Sequence, residues 1–140
     1  MAITRKRVLI VDDDEKSRMV FDGLLRSLGF ETVFASDGED ASDTLAFDSG
    51  FDLIVTDLIM PHMTGFDFTR KLKEFPRTSV IPVIATSAYH DWRRTNDKQE
   101  LAVDGFIVKP VERDALVKEV DRVLMGREGE GRMRNVLTPR

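Results

Sequence analysis

Cysteine is absent from the 140 residues, which excludes a disulfide framework and any thiolate metal site and fits a reducing compartment. Long apolar runs are missing too. The basic start Arg5, Lys6, Arg7 is followed by only residues 8–11 before three acids, far too short a run for a secretory leader or a membrane span. A cytoplasmic location is the expectation. There is no internal repeat and no low-complexity segment. Basic charge is also in deficit: four of the 21 basic and two of the 25 acidic residues fall in the tail from Arg127, leaving residues 1–126 with 17 bases against 23 acids. Such a body is a poor generic partner for nucleic acid.

The residues that are present describe a globular chain with one core. Its 41% hydrophobic and 33% charged residues are the balance of a single domain of this length, expected over residues 1–126 with a flexible tail over 127–140. Strand and helix patterns alternate. Residues 8–11 are a short, wholly apolar run of the kind buried on both faces of a parallel sheet. Helical spacing of Val20, Phe21, Leu24, Leu25 and Leu28 predicts a helix over 15–28, capped by Asp14 and closed by Gly29. Residues 32–35 form a second strand, and Ser36 with Glu39 is a capping-box signature for a helix to about Phe47. After the third strand, Phe68, Leu72 and Phe75 mark a helix stopped by Pro76. A strand over 83–86, a polar helix over 91–101, a strand over 106–108 and a helix over 113–125 complete the pattern. Five strands each followed by a helix predict a parallel α/β sheet, doubly wound, with helices on both faces.

The third strand lies in FDLIVTDLIMP, where Phe51, Leu53, Ile54 and Val55 run into Asp57 and the run closes at Met60 and Pro61. In an open parallel sheet, chemistry collects beyond the carboxyl ends of the strands. The first strand ends in Asp12 and Asp13, the third in Asp57, the fourth in Ser87 and the fifth in Lys109, all on one edge. Carboxylates brought this close repel one another, and a hard divalent cation is the usual way to hold them ionised; Mg²⁺ fits best. A carboxylate can also accept a phosphoryl group, a transfer that needs positive charge and donors on the phosphoryl oxygens. Lys109 and Ser87 supply both.

Taken together, VLIVDDD, the SDGEDA segment from Ser36, DLIVTDLIMPHMTG, PVIATSA and GFIVKP resemble the receiver domain of two-component response regulators, the CheY-like group, over about residues 7–125. The resemblance implies a flavodoxin-like five-stranded sheet of order 2-1-3-4-5. It makes Asp57 the phosphoacceptor, Asp12, Asp13, Asp57 and the backbone carbonyl of Ile59 the Mg²⁺ ligands, Ser87 the switch hydroxyl and Lys109 the phosphoryl partner, with a cis Lys109–Pro110 peptide. Phe106 falls at the family's aromatic switch position, normally Tyr or His, so a switch here depends on packing alone. Ala102 replaces a usual Gly. The resemblance also places Ile59 and Tyr89 beside the water that would hydrolyse the phosphoryl group, and their bulk implies a long-lived phosphorylated state.

The implied partners are a sensor histidine kinase or a histidine phosphotransfer protein, which would donate from a phosphohistidine, and a downstream protein target. Dimer formation on phosphorylation is a further expected contact. The chain would be a signalling phosphoacceptor and not an enzyme acting on other substrates, either a single-domain regulator or the front of a longer one. Rival readings are weaker. Asp12 and Asp14 form a D-x-D like that of haloacid-dehalogenase-type phosphatases, but Lys16 stands where that motif wants Thr or Val. A receiver-like interaction module indifferent to phosphate would not need the acids, Ser87 and Lys109. A dinucleotide-binding domain would have a glycine-rich loop where this first strand leads to acids. His62 and His90 fall in predicted loops and have no second ligand at metal spacing. Trp92 is expected to pack at the rim of the fourth helix, and Val136 and Leu137 between Arg134 and Arg140 are the tail's only candidate docking segment.

Overall fold

The computed structural model describes residues 5–88 and 103–128. Its order is β1 (Arg7–Val11), α1 (Glu15–Ser27), β2 (Glu31–Ala35), α2 (Gly38–Phe47), β3 (Leu53–Asp57), α3 (Gly65–Leu72), a single helical turn at Pro76–Ser79, β4 (Val83–Ala88), β5 (Gly105–Lys109) and α4 (Arg113–Glu128). The expected polar helix over 91–101, with Tyr89, His90, Trp92 and Ala102, lies outside the described residues, as does the tail over 129–140.

The strands form one parallel sheet in the order β2-β1-β3-β4-β5. Successive strand residues point to opposite faces, and the apolar runs divide accordingly. Leu9, Val11, Ile54 and Val83 face α2 and α3, packing with Ala41, Leu45, Phe68 and Leu72. Val8, Ile10, Leu53, Val55, Ile84 and Ile107 face α1 and α4, packing with Phe21, Leu25, Leu116, Val120 and Val123. This two-sided burial accounts for the wholly apolar runs 8–11, 53–55 and 83–85 in the central strands.

Helix boundaries follow local chemistry, with three departures from the sequence reading. Asp14 caps α1, its side chain accepting from the Lys16 N–H. Gly29, at φ 97°, closes it: the N–H groups of Gly29 and Phe30 donate to the Arg26 and Leu25 carbonyls, the paired bonds of a Schellman end. At α2 the expected Ser36–Glu39 box is displaced by one residue. Asp37 is the cap, accepting from the Asp40 N–H at 2.8 Å, while Asp40 accepts from the Ser36 N–H at 2.9 Å. Gly38, the first helical residue, sits so close to Met63 that a Cβ would lie 2.9 Å from it. The exposed Val20 falls off the buried stripe of α1.

In α3 the helix ends at Leu72, and Phe75 is exposed instead of completing the stripe. Proline disfavours helical backbone in the residue before it, and Phe75 is extended (φ −123°, ψ 136°) with Pro76 opening a new turn. The Thr78 hydroxyl donates to the Leu72 carbonyl at 2.6 Å and secures the helix end. Gly65 begins α3. Its N–H donates to the Leu58 carbonyl at 2.8 Å, and a Cβ on it would lie 2.2 Å from the Asp57 carbonyl oxygen. Gly65→Ala is therefore expected to destabilise the protein by about 2 kcal/mol, seen as a lower urea midpoint at unchanged slope. An unchanged midpoint would show that the two backbone segments separate freely.

Candidate functional site

Alternation along the strands assembles the site. Asp12 continues the Val8 and Ile10 face beyond β1, Asp57 continues the Leu53 and Val55 face, and Lys109 continues that of Ile107. All three thus meet at one end of the sheet on one side. Ligand atoms of Asp12, Asp13 and Asp57 lie within 4.8 Å of one another. Asp12 is 1% and Asp57 7% exposed, whereas Asp13 is exposed.

Lys109 ties the buried pair together. Its Nζ donates to Asp12 Oδ2 at 2.8 Å and to Asp57 Oδ2 at 3.3 Å, across sequence separations of 97 and 52 residues. The other oxygens are held by backbone: Asp12 Oδ1 accepts from the Asp14 N–H at 2.9 Å, and Asp57 Oδ1 from the Ile59 N–H at 3.3 Å. The Lys109–Pro110 peptide is cis.

One ammonium among three carboxylates leaves the site negative. Burial, aided by the charge of Asp12 and opposed by Lys109 and the Ile59 N–H, pushes the Asp57 carboxyl up to about 6. Burial works against the Lys109 ammonium, yet its hydrogen bond to Asp12 and the charges of Asp57 and Asp12 outweigh it and raise its pKa. An anionic, all-oxygen donor set that resists its own ionisation fits a hard divalent cation.

Ser87 is brought near but not into this network. It is buried, one residue past Thr86, which pairs with Asp57 in the ladder, and no hydrogen bond joins its hydroxyl to Asp57 among the described residues. Phe106 is half-buried on β5, its N–H donating to Glu119 Oε2 at 2.8 Å. Ile59 is 53% exposed just beyond Asp57, and Tyr89 lies outside the described residues. Asp14 points away from the cluster into its helix cap, so the D-x-D does not act as a pair. Arg18, unnoticed in the sequence, donates from Nη1 to the Asp12 carbonyl at 2.7 Å. Its signal was its place one helical turn after Asp14, which returns it to the strand end.

The family model for the response regulator receiver domain matches residues 8–121. The chain belongs to the response regulator receiver family. Among curated proteins, this receiver domain is 35% identical over 117 residues to the two-component response regulator ORR5 of Oryza sativa subsp. japonica, covering 84% of this chain and 87% of that one. It is 32% identical to the 3',5'-cyclic-nucleotide phosphodiesterase regA of Dictyostelium discoideum over 86% of this chain, but spans only 16% of that protein. Among solved structures, the chemotaxis response regulator CheY4 of Vibrio cholerae aligns with a TM-score of 0.78 at 30% identity, over 86% of this chain and all of that one. The receiver fold of order 2-1-3-4-5 and a phosphoacceptor role in two-component signalling follow from this membership.

The raised Asp57 pKa carries a stability consequence. Above about pH 6 the folded state must ionise a carboxyl that the unfolded chain ionises near 3.8, so stability falls as pH rises between these values. In metal-free protein, Asp57→Asn is expected to raise stability at pH 7.5 by about 1–2 kcal/mol, with the gain fading as the pH is lowered to about 4. Urea titrations at the two pH values test this, and an equal gain at both would contradict the assignment.

Proposed function

We propose that Asp57 is the phosphoacceptor of this receiver domain. The bridge from Lys109 Nζ to both Asp12 and Asp57 is the observation that carries the reading. An Asp57 oxygen would attack the phosphorus of a phosphohistidine on a sensor kinase or phosphotransfer protein; an O–P bond forms, the N–P bond breaks, and its electron pair stays on the imidazole. Asp12, Asp13 and Asp57, with the Ile59 carbonyl, would hold Mg²⁺, whose charge when bound keeps the carboxylates ionised and offsets that of the phosphoryl oxygens. Lys109, already bonded to Asp57, pairs with a phosphoryl oxygen, and the Ser87 hydroxyl donates to another. Phe106 then repacks on β5, changing the surface offered to a downstream protein or to a second receiver. The chain catalyses only its own phosphorylation and dephosphorylation. Among the described residues no helix is long and apolar enough to cross a membrane, and the cytoplasm is the proposed location, with residues 1–126 as the domain and 127–140 as its tail.

Incubation with Mg²⁺ and acetyl phosphate is expected to add one hydroxylamine-sensitive phosphoryl group to the parent and none to Asp57→Asn. Mass spectrometry reads this directly, and a phosphorylated variant would move the acceptor elsewhere. Ile59, exposed beside Asp57, would crowd the attacking water without orienting it, as would Tyr89. Loss of about 1.4 kcal/mol of water stabilisation slows hydrolysis roughly tenfold. Ile59→Asn is expected to accelerate decay of the purified phosphoprotein by about that factor, and an unchanged half-life would remove Ile59 from lifetime control.

A further inference from the structure

At the sheet end where the strands begin, away from Asp57, the surface is unexpectedly apolar. Phe47, the last residue of α2, is 94% exposed, and Phe75 and Val80 are more than half exposed. Beside Phe47 an open groove of about 700 Å³ runs between α2 and the chain following α3. Leu45 and Leu72 are buried at its base and Phe75 contributes to its wall, with Asp43 on the α2 rim and Lys71 and Arg77 on the opposite rim. None of these three charged side chains has an ion-pair or hydrogen-bond partner among the described residues. α2 itself carries Glu39, Asp40 and Asp43 and no basic residue.

The patch holds a projecting aromatic ring, an apolar groove, an acidic rim and a basic rim side by side. A two-fold interface requires that combination on one surface, because each copy must present to the other what the other presents to it. Phe47 is too exposed to be packed on its own chain, whereas a ring of its size is readily buried in an apolar groove. We propose that this face binds a second copy of the chain, with Phe47 of each protomer seated in the groove of the other and Asp43 of each facing Lys71 and Arg77 of the other. The contact involves no residue of the acidic site and forms without phosphorylation.

Sedimentation of the whole chain from low to high micromolar concentration, without Mg²⁺ or phosphodonor, is expected to show a reversible dimer. Phe47→Asp should remain monomeric with an unchanged circular dichroism spectrum and urea midpoint, its side chain being almost wholly exposed. Asp43→Lys, and the double variant Lys71→Glu/Arg77→Glu, should each self-associate at least about tenfold more weakly. Mixed together, these two proteins should form a heterodimer, since each rim of one then meets its opposite on the other. A parent that is monomeric throughout overturns the proposal. So does a dimer that survives Phe47→Asp, or a mixture that fails to recover association, because either places the contact on another face.

Discussion

Two carboxylates, Asp12 and Asp57, are taken almost wholly out of water at one end of the sheet and given a single ammonium to share. Burying a charge is costly unless it is paired and hydrogen-bonded, and every part of this end of the molecule bears on that cost. Lys109 contributes the charge, and the backbone N–H groups of Asp14 and Ile59 contribute the remaining bonds. Burial makes Asp57 harder to ionise than an ordinary carboxyl, and the shared ammonium only partly offsets this. The site is thus built to be more stable with additional positive charge than without it. Anything that supplies such charge to the folded state alone stabilises the fold by mass action.

Holding the arrangement in place requires the sheet to keep its register to within one residue, since a slip would turn each side chain to the other face. Asp57 pairs with Thr86, and the Leu58 N–H donates to the Thr86 carbonyl at 3.0 Å, so the ladder with β4 extends past the acid. On the other side of the chain, Gly65 brings the start of α3 against the Asp57 and Leu58 backbone. The carboxylate is therefore fixed by main-chain contacts on both sides. Its immediate environment can change through the side chains around it more easily than through its own displacement.

Much of this was legible in the residues. Wholly apolar strand runs announce burial on both faces, and the acids Asp12 and Asp57 after the first and third runs mark where those strands leave the core. The Asp14 cap and the Gly29 closure are local chemistry and were readable for that reason. The α2 start was not, because Ser36 with Glu39 and Asp37 with Asp40 offer a cap and an acid at the same spacing. The hydrogen bonds of the folded chain separate them: Asp37 accepts from the Asp40 N–H. Phe75 was misplaced although its signal was present: the proline after it excludes the helical backbone that the apolar spacing alone suggested. Which oxygen Lys109 would hold, and that Arg18 would brace the Asp12 carbonyl, depend on contacts between elements that spacing does not encode.

Ser87 completes the physical account. The residue is 2% exposed and its hydroxyl has no hydrogen-bond partner among the described residues, and a hydrogen bond to a charged acceptor contributes about 1.5–3 kcal/mol. A ligand shifts a conformational equilibrium only by the difference in its affinity for the two states. On the proposed role of Asp57, a phosphoryl oxygen would be an acceptor that exists only after transfer, and a conformation in which Ser87 reaches it would gain that bond. Gaining about 1.4 kcal/mol would change the population ratio tenfold. Ser87 lies on β4 beside β5, where Ala85 pairs with Phe106, and the Phe106 ring carries no hydroxyl. On the same proposal, the polar gain at Ser87 would be passed to the surface as a change in how that aromatic ring is buried.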